Sequence, residues 1–170
     1  MEQATRKILA GMKKAIQAER TGYEFYKVAA KTTKDPTARK VFAQLAEEEA
    51  EHFRFLTANY ESFRKAGRVD RRAKLSRPKK LDAAHPIFSA GFRARLKDAH
   101  FEMSALAVAV QLELNGIRHY RAEAAKATDP DVKRFYEDLS RWESGHYDAL
   151  AHEQQELQEA YWAEAGFAPF

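Results

Sequence analysis

The residues with the plainest capacity for chemistry are two Glu-x-x-His pairs, Glu49/His52 and Glu143/His146. Two further glutamates, Glu19 and Glu113, each lie 30 residues before the glutamate of a pair. On a helix, side chains three positions apart share a face, so each Glu and its His can point into one interior. Four ionised carboxylates gathered inside a fold would repel one another and lose their hydration. Two divalent cations remove both costs, because carboxylates can bridge two ions while each imidazole supplies a nitrogen to one. Nitrogen donors beside carboxylates favour iron over magnesium or calcium. Two iron ions are therefore the expected cofactor, with manganese or zinc as substitutes. The chain has no cysteine, which excludes disulfides, iron–sulfur clusters and Cys-held zinc.

A lone Glu-x-x-His is a weak signal, but its duplication is not. Residues 15–56 align without gaps to residues 109–150 at an offset of 94, with twelve identities in 42 positions. The matches include the Glu and His residues above, Gly22/Gly116, Tyr26/Tyr120 and Asp35-Pro36/Asp129-Pro130. The repeat alone singles out Glu49 from its neighbours Glu47, Glu48 and Glu51, whose counterparts are Arg141, Trp142 and Gly145. Those three acids read as a solvated face. Tyr26 and Tyr120 follow Glu19 and Glu113 by seven residues and share their face, as core tyrosines, as hydrogen-bond donors to the site, or as both. Gly22 and Gly116 serve close helix packing or leave room beside the metals for oxygen or peroxide. Tyr23 reads as core. His85, His100, His119 and His152 have no repeat partner and read as surface or packing residues.

The elements that must position these groups are helices. Glycine and proline number only 7 and 5 in 170 residues, and the abundant residues lose least on entering a helix. Each Asp-Pro pair supplies an N-cap and a first-turn proline, and ends the preceding helix. Helices are expected near 3–32, 36–66, 90–127 and 130–160, as two repeated hairpins (1–66 and 90–160) in one domain spanning 1–170. The link of 67–89, with Pro78 and Pro86, is too long for antiparallel neighbours and reads as a crossover along the bundle. Nine basic residues and one acid lie between Arg64 and Lys80, while the rest of the chain carries 20 basic and 24 acidic residues. With no aromatics interleaved for base stacking, this run reads as a solvated crossover rather than a nucleic-acid grip. The N-terminus does not read as a signal peptide and the longest apolar run is six residues, so a soluble, cytoplasmic protein away from membranes is expected.

Residues 15–56 and 109–150 resemble the two halves of a rubrerythrin-family ferritin-like domain, and Tyr161-Trp162…Gly166-Phe167 is similar to the family's tail. The resemblance implies an all-α, ferritin-like four-helix bundle with a C-terminal helical extension. It also implies that Glu19, Glu49, His52, Glu113, Glu143 and His146 match the di-iron ligands, which would also be the catalytic groups. Tyr26 and Tyr120 match tyrosines that hydrogen-bond ligand carboxylates. Two departures stand out. A cysteine-free chain has no rubredoxin domain, and Gly116 replaces a further Glu that the family carries one turn after the third-helix ligand.

The expected function is a di-iron oxidoreductase that oxidises ferrous iron with hydrogen peroxide or dioxygen, for iron handling or defence against oxidative stress. Glu49 and Glu143 are the expected bridges, Glu19 and Glu113 the terminal carboxylates. Loss of the ferric product makes it a ferroxidase; re-reduction by an external electron donor makes it a peroxidase. The alternatives are a non-catalytic iron-binding or iron-sensing protein and, third, a manganese catalase-like or substrate-oxygenating bundle. Aromatic residues on the long helices, among them Phe53, Phe55, Tyr60, Phe63, Tyr161 and Trp162, suggest a homodimer.

Overall fold

The computed structural model describes residues 2–75, 86–94, 96 and 99–165. Arg77, Pro78, Lys79 and Lys80 of the basic run, His85, Gly166 and Phe167 lie outside them. Among the described residues are five helices and no strand: α1 (Glu2–Thr32), α2 (Pro36–Ala66), α3 (Ala90–Arg93), α4 (His100–Lys126) and α5 (Pro130–Ala165). None of these helices is long and apolar enough to cross a membrane.

Both Asp-Pro pairs start helices. Asp35 is extended, and its carboxylate accepts from Thr37 N and Ala38 N with Pro36 in the first turn. Asp129 does the same for Asp131 N at 2.8 Å and Val132 N at 3.3 Å. Asp35 has a second task, because its Oδ2 also accepts from Ser89 Oγ at the far end of the crossover. Burial acts to raise Asp35, yet the bonds from Ser89, Ala38 and Thr37 hold its carboxyl below the usual range. Asp35→Ala is therefore expected to cost about 2 kcal/mol, the cap plus a buried charged hydrogen bond. Asp129→Ala should cost about 1 kcal/mol, the cap alone. Urea denaturation of the two variants reads the difference.

The described ends of the crossover lie at opposite ends of the bundle. At the end of α2, Gly67 takes the left-handed conformation (φ 65°) and returns its N–H to Phe63 O. Val69 and Leu75 then pack near Met12, Leu56 and Phe63. At the other end, Ile87, Phe88 and Phe92 pack near Phe42, Leu45 and Leu157, beside the start of α2. A 31-residue helix is about 45 Å long, so the link returns the chain to where α2 began. Hence α4 runs parallel to α2 and antiparallel to α1, with Thr33 bonded to Glu102, Tyr26 to Glu113, and Tyr120 to Glu19. Two antiparallel hairpins joined by a long crossover make the ferritin-like four-helix bundle.

The third helix departs from expectation. It does not run unbroken from 90 to 127 but stops at Arg93 and restarts at His100. Ser89 caps the short α3 by accepting from Phe92 N, with Asp35 of α2 behind it. Arg93 binds Glu153 at 2.8 Å and Glu156 at 3.0 Å, while Glu153 also accepts from Ile87 N. These anchors belong to α2 and α5, so tertiary contacts set this turn independently of α4. The last helix runs beyond 160, to Ala165.

The described part of the basic run is partly neutralised at the surface. Arg64 and Lys65 face Glu61, Arg71 faces Asp131, and Arg72 faces Asp70. Such exposed pairs contribute little to stability.

Candidate metal centre

Two apolar layers leave a polar slice between them. One gathers Tyr26, Phe42, Leu45, Phe88, Leu106 and Leu150, and the other Met12, Leu56, Phe63, Tyr120, Tyr136 and Leu139. In the slice, α1 places Glu19, α2 places Glu49 and His52, α4 places Glu113, and α5 places Glu143 and His146. All six are at most 4 % exposed. The structure thus brings together every side chain that the repeat singled out.

Their atoms form two overlapping groups. Glu19, Glu49, His52 and Glu143 each offer one donor atom within 4.8 Å of the others, and so do Glu49, Glu113, Glu143 and His146. Glu49 and Glu143 belong to both. Glu143 spans the pair of imidazoles: its Oε1 lies 2.9 Å from His52 Nδ1, and its Oε2 lies 3.5 Å from His146 Nδ1. Glu19 Oε2 stands 3.2 Å from His52 Nδ1, and Glu113 Oε2 stands 3.6 Å from His146 Nδ1. The rings are nearly parallel, 6.0 Å apart.

Several of these atoms lack partners. Glu143 Oε1 and His146 Nδ1 are buried without a hydrogen bond, despite the short approach of Glu143 to His52. Buried polar atoms without partners are costly. Such orphaned atoms, converging with the neighbouring carboxylates and imidazoles, fit a divalent cation between them, and the donor set of carboxylate and imidazole suits iron, manganese or zinc.

Without a cation, protons balance the charge. Burial drives Glu49 well above the ordinary carboxylate range, helped by Glu19, Glu143 and Glu113. Burial and Glu143 push Glu113 up to about 8. Burial also acts to raise Glu143, but His52 and His146 overcome it and hold that carboxyl well below its usual range. Desolvation acts to lower His52, yet Glu143 and Glu19 raise it to about 10. His146 is raised well above its ordinary value against the same desolvation, by Glu113, Glu143 and Glu48.

The tyrosines connect the halves reciprocally. Tyr26 on α1 donates to Glu113 Oε1 on α4, and Tyr120 on α4 donates to Glu19 Oε1 on α1. Burial and these carboxylates push both phenols well above their ordinary pKa, so they remain donors. Tyr23 lies partly buried against the core with Lys27 above its ring. His119 donates from Nε2 to the backbone oxygen of Gly11, and His152 pairs with Glu156 at the surface.

Two residues were missed. Glu48 is not a solvated acid: it is 2 % exposed, and its Oε2 lies 2.7 Å from His146 Nε2. Burial acts to raise it, but His146 and Gln44 hold it below the usual carboxylate range. Its counterpart Trp142 packs edge-on against His52, ring centroids 4.6 Å apart. A tryptophan at the equivalent position of the other half was the available sign that this position is buried.

The glycines differ. A Cβ on Gly22 would stand 2.9 Å from Glu49 Oε2 and 3.1 Å from its Cδ, whereas one on Gly116 would meet Glu143 Cγ at an ordinary 3.7 Å. Both line a groove of about 390 Å³ between α1 and α4, which reaches Glu19, Glu49, Glu113 and Glu143. Gly22→Ala should therefore displace Glu49 and weaken binding of divalent metal by about tenfold, about 1.4 kcal/mol. Gly116→Ala should leave affinity within about twofold, since helix interiors favour alanine. Calorimetric titration with Zn²⁺ compares them.

A family model for rubrerythrin matches residues 11–154, both hairpins and all six convergent side chains. The chain belongs to the rubrerythrin family. No curated protein and no solved structure was found to match it. Within this rubrerythrin-family bundle, the buried carboxylates and histidines could hold metal at two adjacent positions.

Proposed function

We propose that this rubrerythrin-family protein is a di-iron oxidoreductase that oxidises bound ferrous iron with hydrogen peroxide or dioxygen. The supporting observation is Glu143, one carboxylate addressing both imidazoles from its two oxygens. Glu49 and Glu143 would serve both iron positions, with Glu19 and His52 at one and Glu113 and His146 at the other. Two ferrous ions supply two electrons, which with two protons convert one hydrogen peroxide into two waters.

The chain's own groups do the rest. Tyr26 and Tyr120 orient the terminal carboxylates through their hydroxyl protons. The apolar layers on either side keep bulk water from the slice, where fixed charges act strongly. The groove past Gly22 and Gly116 offers a small oxidant a route to the carboxylates. If ferric iron leaves, the activity is that of a ferroxidase in iron handling. If an external one-electron donor returns the site to its ferrous state, it is a peroxidase in oxidative defence.

Anaerobic loading with two Fe²⁺ per chain, followed by stopped-flow mixing with peroxide or oxygen, tests the proposal. Oxidation well above the rate for free Fe²⁺ is expected, with at least one of the two oxidants. A rate no faster than that of free iron, with both, removes the oxidoreductase reading.

A further inference from the structure

The two halves of the chain repeat the convergent side chains but not what stands behind the imidazoles. Behind His146 is a carboxylate. Glu48 Oε2 lies 2.7 Å from His146 Nε2, and Gln44 Nε2 donates to Glu48 Oε1 at 2.9 Å, which holds the carboxylate in place. Behind His52, at the position related by the repeat, is Trp142, and His52 Nε2 is buried without any hydrogen-bond partner. The indole N–H of Trp142 is likewise buried and unbonded. Glu48 and Trp142 are 2 % and 5 % exposed, so water does not level the difference.

This asymmetry has a chemical direction. A carboxylate on Nε2 fixes the ring proton there, leaves the Nδ1 lone pair free toward Glu113 and Glu143, and makes that nitrogen a stronger donor. No acceptor stands at His52 Nε2, so with Nδ1 turned to a cation the Nε2–H stays unsatisfied in an apolar contact. We infer that Glu48 is a positioning residue that makes the two metal positions unequal, the one at His146 filling first and the one at His52 being the more easily emptied. The inference rests on the metal-centre reading of the six side chains. It assigns Glu48, which the repeat does not mark, the part of setting the order of filling.

Calorimetric titration of the metal-free protein with Zn²⁺ tests it, together with anomalous diffraction from crystals given one equivalent. Two binding steps are expected, separated by about tenfold or more, the size of effect that a carboxylate behind a metal-bound imidazole produces. At one equivalent the anomalous peak should stand at His146. Glu48→Gln should weaken the tighter step by about tenfold and leave the weaker one unchanged, and Glu48→Asp should partly restore it. Trp142→Glu, which places a carboxylate behind His52, should tighten the weaker step. A merely structural role for Glu48 would shift both steps together, and that result overturns the inference. So does first filling at His52, or two steps of equal affinity in the wild-type protein. Failure of the wild-type protein to bind Zn²⁺ at these residues is a different result, and it removes the metal-centre reading along with the inference.

Discussion

Glu143→Ala is expected to empty both metal positions at once, whereas His52→Ala or His146→Ala should empty one. Glu143 is the side chain whose two oxygens approach the two imidazoles, at 2.9 Å and 3.5 Å. It also belongs to both groups of convergent donors, a property shared only with Glu49 among the described residues. Its loss leaves each position with two carboxylates and one imidazole, and leaves the imidazoles without the negative charge that His52 answers most strongly. The metal-free protein should suffer too, because truncating one member of a buried charge pair strands the other at a cost of about 3–5 kcal/mol. Metal content after gel filtration, and urea denaturation of the metal-free form, read the two effects separately. Glu143→Gln keeps the volume and one acceptor oxygen, so it should restore much of the fold while leaving metal content low.

The second large effect joins metal removal to pH. In the metal-free protein, His52 titrates at about 10 rather than 6.5, and Glu113 at about 8 rather than 4.5. The folded state therefore holds protons that the unfolded chain has released, and stability falls as pH rises. The His52 contribution is complete below about 6.5 and gone above about 10. The penalty from ionising Glu113 develops between about 4.5 and 8. Stripping the metal should consequently make the protein lose about 6 kcal/mol between pH 6 and 9, roughly 12–24 °C in Tm. Cations replace these protons in the loaded protein, so its Tm should change little over the same range. The gap between loaded and stripped forms then widens with pH, and metal binding releases protons. Thermal melts at several pH values, with and without chelator, check this. A gap that narrows toward pH 9 would mean that carboxylates and imidazoles are not where the charge is balanced.

Much of the bundle could be read from the chain because it is written twice. The Asp-Pro pairs mark the starts of α2 and α5 through purely local physics, a side-chain cap and a fixed φ. The convergence of Glu19, Glu49, His52, Glu113, Glu143 and His146 follows from helical periodicity applied to both halves. What could not be read depends on contacts between halves. The face of Tyr26 was predictable, but not that it crosses to Glu113 while Tyr120 crosses to Glu19. The break between Arg93 and His100 is set by Asp35 and by Glu153, each more than 50 residues away in the chain. Glu48 escaped because the repeat was the filter, and the repeat discards any residue whose partner differs. Its burial against His146 is an asymmetric feature of a nearly symmetric site.

The most direct test of the central claim is anomalous diffraction from crystals of the protein grown with saturating Fe²⁺ under anaerobic conditions. Two iron peaks are expected, one among Glu19, Glu49, His52 and Glu143, the other among Glu49, Glu113, Glu143 and His146. Iron bound only at the surface, with no peak among these six side chains, would overturn the di-iron reading.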